Sequence, residues 1–312
     1  MRVSVVIATY NRARLLEGSL GALASQEVPP SLEWEIVVVD NNSTDATPAI
    51  VGAFAKTAAV PVRYVLESRQ GVSNARNRGV IEARGTIVAF SDDDVLAAPD
   101  WVAQVAAGID RWNADGIGGR ILPRWECPPP RWLTENRRLL RRLAIMDFEG
   151  SARLALPLTP QPQVWGANMA FRREVFGRVG KFDPRRGIAG RKLYRGEESD
   201  LIDRALELGL TIAYDAALTV HHRIGPDRMR KGYFRRLAFD DAQGEALLRP
   251  APGGRAFLGA PLSFYRSALL DFWRWLGLLA RARPGTFDQE LRWVASVGRL
   301  TGCWKAHRRP AL

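Results

Sequence analysis

The sequence predicts an α/β fold: an open, mostly parallel sheet flanked by helices, followed by a helical, basic C-terminal extension. Three observations carry this reading. Short β-branched runs alternate with longer helix-like stretches through the first 122 residues, the pattern of a parallel sheet wrapped by helices. Polar residues gather directly after the apolar runs, where the ligands of such sheets collect. Charge is also uneven, with 10 Lys and Arg against 14 Asp and Glu in residues 1–118, and 35 against 19 in residues 119–312.

The strands are expected at Val3–Ala8, Glu35–Val39, Val62–Leu66, Thr86–Phe90 and Gly116–Leu122. Leu16, Leu20 and Leu23 form a helical apolar stripe between the first two. Ser43 to Asp45 opens a second helix, and Ser73 reads as the N-cap of a third. The proline-rich stretch 123–163 predicts a long loop with one basic helix around Glu135 to Leu143. A helix at Glu197–Leu208 ended by Gly209 follows, then a strand from Thr211 leading to His221 and His222. The expected organisation is a nucleotide-binding half at 1–122, an acceptor-side half of the same domain at 123–240, and a helical extension at 241–312.

Composition excludes several classes. Cys127 and Cys303 stand far apart in no metal-like spacing, which argues against a disulfide framework or a zinc site and for a reducing, cytoplasmic setting. Met1 runs straight into a strand with no secretory signal pattern. The greasy segment Phe257 to Ala280 is interrupted by Arg266, Asp271 and Arg274, so it falls short of the roughly 18–20 apolar residues of a membrane span. Its mixture of aromatic, aliphatic and Arg residues suits a helix lying on an anionic membrane surface, such as the inner face of the cell membrane. A helix packed on the rest of the chain or on a second subunit is the rival reading.

The polar groups after the strands are Thr9-Tyr10-Asn11-Arg12, Asp40-Asn41-Asn42-Ser43, Asn74-Ala75-Arg76-Asn77 and Ser91-Asp92-Asp93-Asp94. Adjacent aspartates behind a buried strand repel one another unless a cation or full solvent exposure relieves them. Two readings stand on these residues alone. One is a site for a hard divalent ion that neutralises a diphosphate; the other is an acidic helix start before Pro99-Asp100-Trp101.

VSVVIATYNR, VVVDNNSTD, GVSNARNRG, FSDDDVLAAPDW, GANMAFRREVFGRVGKFD and GEESDLIDRALELG occur in this order across roughly residues 1–240. In motif and spacing the chain resembles the family 2 glycosyltransferases of GT-A fold. That resemblance implies an inverting, metal-dependent enzyme that moves a sugar from a nucleotide-sugar, UDP-linked by expectation, to an acceptor hydroxyl on a glycan or lipid-linked molecule in surface glycan synthesis. It implies Mn2+ or Mg2+ as cofactor. Thr9, Tyr10 and Arg12 would line the nucleotide pocket, Asp40 would accept a bond from the base, and Arg76 would lie against the nucleotide. Asp94 would be the main metal ligand, Asp93 a ribose or second metal contact, and Asp92 would complete the acidic motif. Glu198 takes the position of the catalytic base, where the family more often carries Asp, with Glu197 beside it at the sugar. Trp165 and Asn168 would border donor sugar and acceptor. A histidine would complete the metal shell, and since only one of two neighbours on a strand can face the site, His221 is the expected one.

No nucleic-acid partner is expected, although the basic second half raises that alternative. Its Arg clusters belong to no recognisable reading module, and the acidic triplet would oppose a phosphate backbone. A nucleotidyltransferase would carry a Gly-rich basic loop where Thr9 to Arg12 stand. A catalytically inactive nucleotide-binding member of the family is the remaining alternative, kept open by Glu in the place of Asp at 198.

Overall fold

The computed structural model describes residues 2–156, 162–188, 195–248 and 255–308. They divide into two units, Met1–Pro184 with Gly196–Pro226, and Arg185–Arg195 with Asp227–Leu312.

In the first unit, β1 (Val3–Thr9), β2 (Trp34–Asp40) and β3 (Val62–Leu66) pair in parallel. Buried residues fill nearly every position of β1 and β2, the continuous apolar run that a strand covered on both faces requires. The connecting helices are α1 (Ala13–Ala24), which turns Leu16, Leu20 and Leu23 to the core, α2 (Thr47–Thr57) and α3 (Val72–Glu82). Gly71 precedes α3 with φ 129°, and Ser73 lies buried inside the helix. The cap expected at Ser73 is therefore displaced, because the chain enters α3 through a conformation that favours glycine.

Parallel pairing continues from β1 to β4 (Ile87–Asp92), and a tight turn leads into the short β5 (Val95–Ala97). α4 (Trp101–Arg111) and β6 (Gly116–Trp125) follow. The single basic helix expected near Glu135 is two short ones, α5 (Arg131–Thr134) and α6 (Arg137–Arg142). Asn136 separates them, its side chain accepting from the backbone N–H groups of Arg138 and Leu139 and so starting a new helix. Pro157 and Pro160 of this stretch lie outside the described residues.

β7 (Ala152–Arg153), β8 (Met169–Arg172), the turn-length α7 (Val175–Arg178), α8 (Glu197–Glu207) and β9 (Ile212–Ile224) complete the unit. The sheet runs β3-β2-β1-β4-β8-β6-β9-β5, with β7 on β9. β8 is antiparallel to both β4 and β6, so it joins the parallel first half to the parallel β6–β9 pair. The expected open, mostly parallel sheet is the one observed.

One irregularity bears on the site. β6 and β9 pair Gly119 with Asp215 but the next residue, Arg120, with Thr219, so Ala216 to Leu218 bulge from the ladder. Leu218 O approaches so closely that a Cβ on Gly119 would sit 2.2 Å from it.

The second unit contains α9 (Lys231–Leu248), a small hairpin of β10 (Ala256–Phe257) and β11 (Ala260–Pro261), α10 (Leu262–Ala280) and α11 (Thr286–His307). α9 runs unbroken across residues 240 and 241, and the longer stretch of the second unit runs from Asp227. Trp275 of α10 stacks on Trp293 of α11 at 5.1 Å between ring centroids.

Candidate active site

Asp93 and Asp94 occupy the turn between β4 and β5 and are almost wholly buried. The repulsion expected among the three aspartates is relieved by two arginines. Arg12 Nη1 donates to Asp93 Oδ1 and to Asp94 Oδ2, each at 3.0 Å, while Arg76 takes Asp92. Asp93 is further bound at Oδ2 by the Thr9 hydroxyl (2.9 Å), and its backbone carbonyl accepts from Ser19 Oγ (2.8 Å). Burial pushes the Asp93 carboxyl up to about 6, against the pull of Arg12 and with a further push from Asp94. Asp93 and its neighbours in turn hold the Arg12 guanidinium more firmly protonated against the opposing cost of burial.

The antiparallel pairing of β5 with β9 sets His222 opposite Val95. His222 Nδ1 lies 2.9 Å from Leu143 O, and since a carbonyl only accepts, Nδ1 carries the hydrogen. The other ring nitrogen, Nε2, then faces Asp94 Oδ1 at 3.4 Å. His221 lies on the opposite side of the strand by alternation, and burial together with Arg124 and Arg120 lowers its pKa. His222, not His221, is the histidine beside the acid. The pairing with β5, which sets His222 opposite Val95, decides between the two histidines.

Among the described residues no three His, Cys, Asp or Glu side chains gather as a metal cage. Asp94 and His222 are adjacent as a hard oxygen donor and an imidazole whose far nitrogen is held by a carbonyl, the arrangement that orients a metal-binding histidine. Mg2+-like ions take few protein ligands and complete their shell with substrate phosphate and water. The residues therefore fit an ion that arrives with a diphosphate better than one caged by protein alone.

Arg76, expected to lie against the nucleotide, is buried. Its Nη1 donates to Glu197 Oε1 at 2.7 Å and its Nη2 to Asp92 Oδ1 at 3.1 Å. A Cβ on Gly166 would come within 2.2 Å of Nη2, so only glycine leaves room for the guanidinium. Burial opposes the Arg76 charge, but Asp92, Glu197 and Glu198 outweigh it and the group is held protonated. Glu197 opens α8 behind Gly196 (φ 103°), and burial followed by the charge of Glu198 pushes its carboxyl up to about 8. Glu197 Oε2 and Glu198 Oε2 are both buried at this one helix start.

The chain as a whole has known relatives. The sequence profile described as "Glycosyl transferase family 2" matches residues 4–180. The chain belongs to this family. A glucosyl-dolichyl phosphate glucuronosyltransferase of Haloferax volcanii is 26% identical over 72% of the chain and 70% of its own length. Among solved structures, the mannosyltransferase PcManGT from Pyrobaculum calidifontis, in complex with GDP-Man and Mn2+, matches with TM-score 0.61 and 23% identity over 96% of the chain and 87% of its own. Staphylococcus aureus TarS 1-349 in complex with UDP matches with TM-score 0.55 and 19% identity over 98% and 89%. These likenesses give the GT-A glycosyltransferase fold.

The other expected site residues of this family 2 member divide by their surroundings. Tyr10 is exposed at the end of β1. Asp40 is fully buried, accepting from Ser43 N and Tyr64 Oη at 2.8 Å each, and it shapes the turn after β2. Trp165 is half-buried against the main core. Asn168, expected at a sugar hydroxyl, is fully buried: Trp101 Nε1 donates to its Oδ1 at 2.8 Å, and its Nδ2 lies 2.9 Å from both Arg120 O and Leu218 O. Its amide thus ties the two strands together across the bulge. Ser19 is a contact of the acidic turn not expected from the sequence, and His222 is one that was set second to His221. The pairing of β5 with β9 was the missing signal for His222.

Proposed function

We propose that this chain is an inverting glycosyltransferase that moves a sugar from a nucleotide-sugar to an acceptor hydroxyl. The observation that carries the reading is Arg76, a buried guanidinium that donates both to Asp92 of the acidic turn and to Glu197 of the α8 start. Two acidic centres with different tasks are thereby held in one frame.

On the donor side, Thr9 and Arg12 hold Asp93, and Asp94 with His222 would bind Mn2+ or Mg2+. Such an ion, when bound, neutralises charge on the departing diphosphate. On the acceptor side, Glu198 takes the proton of the acceptor hydroxyl as its oxygen attacks the anomeric carbon. The bond from that carbon to the diphosphate oxygen breaks on the opposite face, and its electron pair leaves with the nucleoside diphosphate. Glu197, kept largely protonated beside it, limits charge repulsion at the helix start and leaves Glu198 as the base.

A UDP-linked donor is the first choice, with GDP the competitor, since the structural neighbours carry one or the other. A glycan or lipid-linked acceptor in surface glycan synthesis is in keeping with a relative named for glucosyl-dolichyl phosphate. Calorimetric titration with UDP and GDP, each with and without Mn2+, tests the donor site. Metal-dependent binding of one nucleotide is expected, and failure of both to bind would overturn the reading.

A further inference from the structure

α10 presents two unlike faces. Its inner face packs on α11: Phe272 and Trp275 lie 5.3 and 5.1 Å from the Trp293 ring, and the acid of Asp271 is taken by Gln289 and Ser296. On the outer face Leu262, Arg266, Leu269, Trp273 and Leu276 follow one another at alternating spacings of four and three, a single helical stripe. Trp273 and Leu269 are 59% and 58% exposed, unusual for side chains of this size on the outside of a helix. The hairpin that feeds α10 adds exposed Phe257 and Leu258 at its tip.

The charges on this face have one sign. Arg266 and Arg274 are exposed on α10, and Arg281 and Arg283 are exposed just beyond it, while Asp271, the helix's acid, is turned inward. A second copy of the same face would bring arginines against arginines with no acid to answer them. An anionic bilayer answers both features, taking the apolar stripe into its headgroup boundary and the guanidiniums at its surface. No helix of the described residues is long and apolar enough to cross a membrane, so α10 would lie in the plane.

We propose that the outer face of α10, with the Phe257–Leu258 hairpin tip, is a docking surface for an anionic lipid bilayer. The proposal rests on the second unit alone and is independent of the glycosyltransferase mechanism.

The test is flotation of the purified full chain with vesicles of phosphatidylcholine alone and of phosphatidylcholine with phosphatidylglycerol. The chain is expected to float with the anionic vesicles and to be released by salt. The double variant Leu269→Glu, Trp273→Glu should weaken binding by about tenfold or more, as loss of two buried apolar side chains requires. Arg266→Glu with Arg274→Glu should do the same for anionic vesicles while leaving any weak association with neutral vesicles unchanged. All four side chains are exposed, so melting temperatures should match that of the parent chain, and donor binding serves as a second check of folding. Flotation of both variants equal to the parent, or no flotation of the parent with anionic vesicles, would overturn the proposal. So would a concentration-dependent dimer, abolished by Leu269→Glu with Trp273→Glu, in a chain that ignores vesicles.

Discussion

Arg76 and Glu197, 121 residues apart in sequence, are joined by a 2.7 Å hydrogen bond in which both side chains are almost fully buried. The pair ties α3, between β3 and β4, to α8, which leads into β9. Replacing Arg76 by Met keeps the volume and removes the charge. Breaking a buried pair in this way costs about 3–5 kcal/mol, and the lower end applies because the second partner, Asp92, is partly exposed and Glu197 readily takes a proton. Urea unfolding of Arg76→Met against the parent chain measures it. An unchanged midpoint would mean that the pair contributes nothing net.

Glu197 holds its proton to about 8 in the folded chain against an ordinary value of 4.5, through burial and the neighbouring Glu198. Between those values the folded state keeps a proton that the unfolded chain has released. The contribution is fully present below the lower value and is lost as pH rises through the upper one. Glu197→Gln removes this titration, so the decline of stability with pH across that window should flatten. Unfolding midpoints taken at intervals through the window would reveal it, and parallel curves for variant and parent would rule it out.

Asp94→Asn and His222→Ala should each abolish metal-dependent nucleotide binding, while His221→Ala should leave it intact, because only His222 stands beside the acid. Calorimetry with the nucleotide and Mn2+ reads all three variants. Loss of binding in His221→Ala alone would reverse the assignment.

Glu198→Gln keeps the shape of the helix start but cannot accept a proton. Nucleotide affinity should be retained and sugar transfer should fall by about 10²–10⁴-fold, the usual share of a positioned base. Glu198→Asp should recover part of that loss. Equal turnover in Glu198→Gln and the parent chain would remove Glu198 from the chemistry.

Much of this was legible in the residues. The five strands expected in the first 122 residues are all present, with the three-residue β5 as a sixth, and β1, β2 and β4 are legible because burial on both faces forces continuous apolar stretches. The acidic triplet stands at a strand end as expected. Other features depend on partners remote in sequence. A motif can mark Arg76, but only folding brings Glu197 and the bare backbone of Gly166 around it, so its burial could not be read locally. Asn168 likewise looks like a polar loop residue until Trp101, Arg120 and Leu218 close on it. The choice between His221 and His222 turned on the pairing of β5 with β9, which no local run of residues marks.

The Ala216–Leu218 bulge makes β9 two segments in different phase, joined by a spacer. The parity of the second segment is set at Thr219, by its pairing with Arg120, and Asn168 pins both sides of the junction. A residue gained or lost before Asp215 can be taken up by the spacer, and His222 keeps its place. The same change between Thr219 and His222 would rotate the wrong imidazole toward Asp94. Length variation is thus tolerated on one side of three residues and penalised on the other, so drift in this strand should be lopsided among descendants that keep His222 beside Asp94.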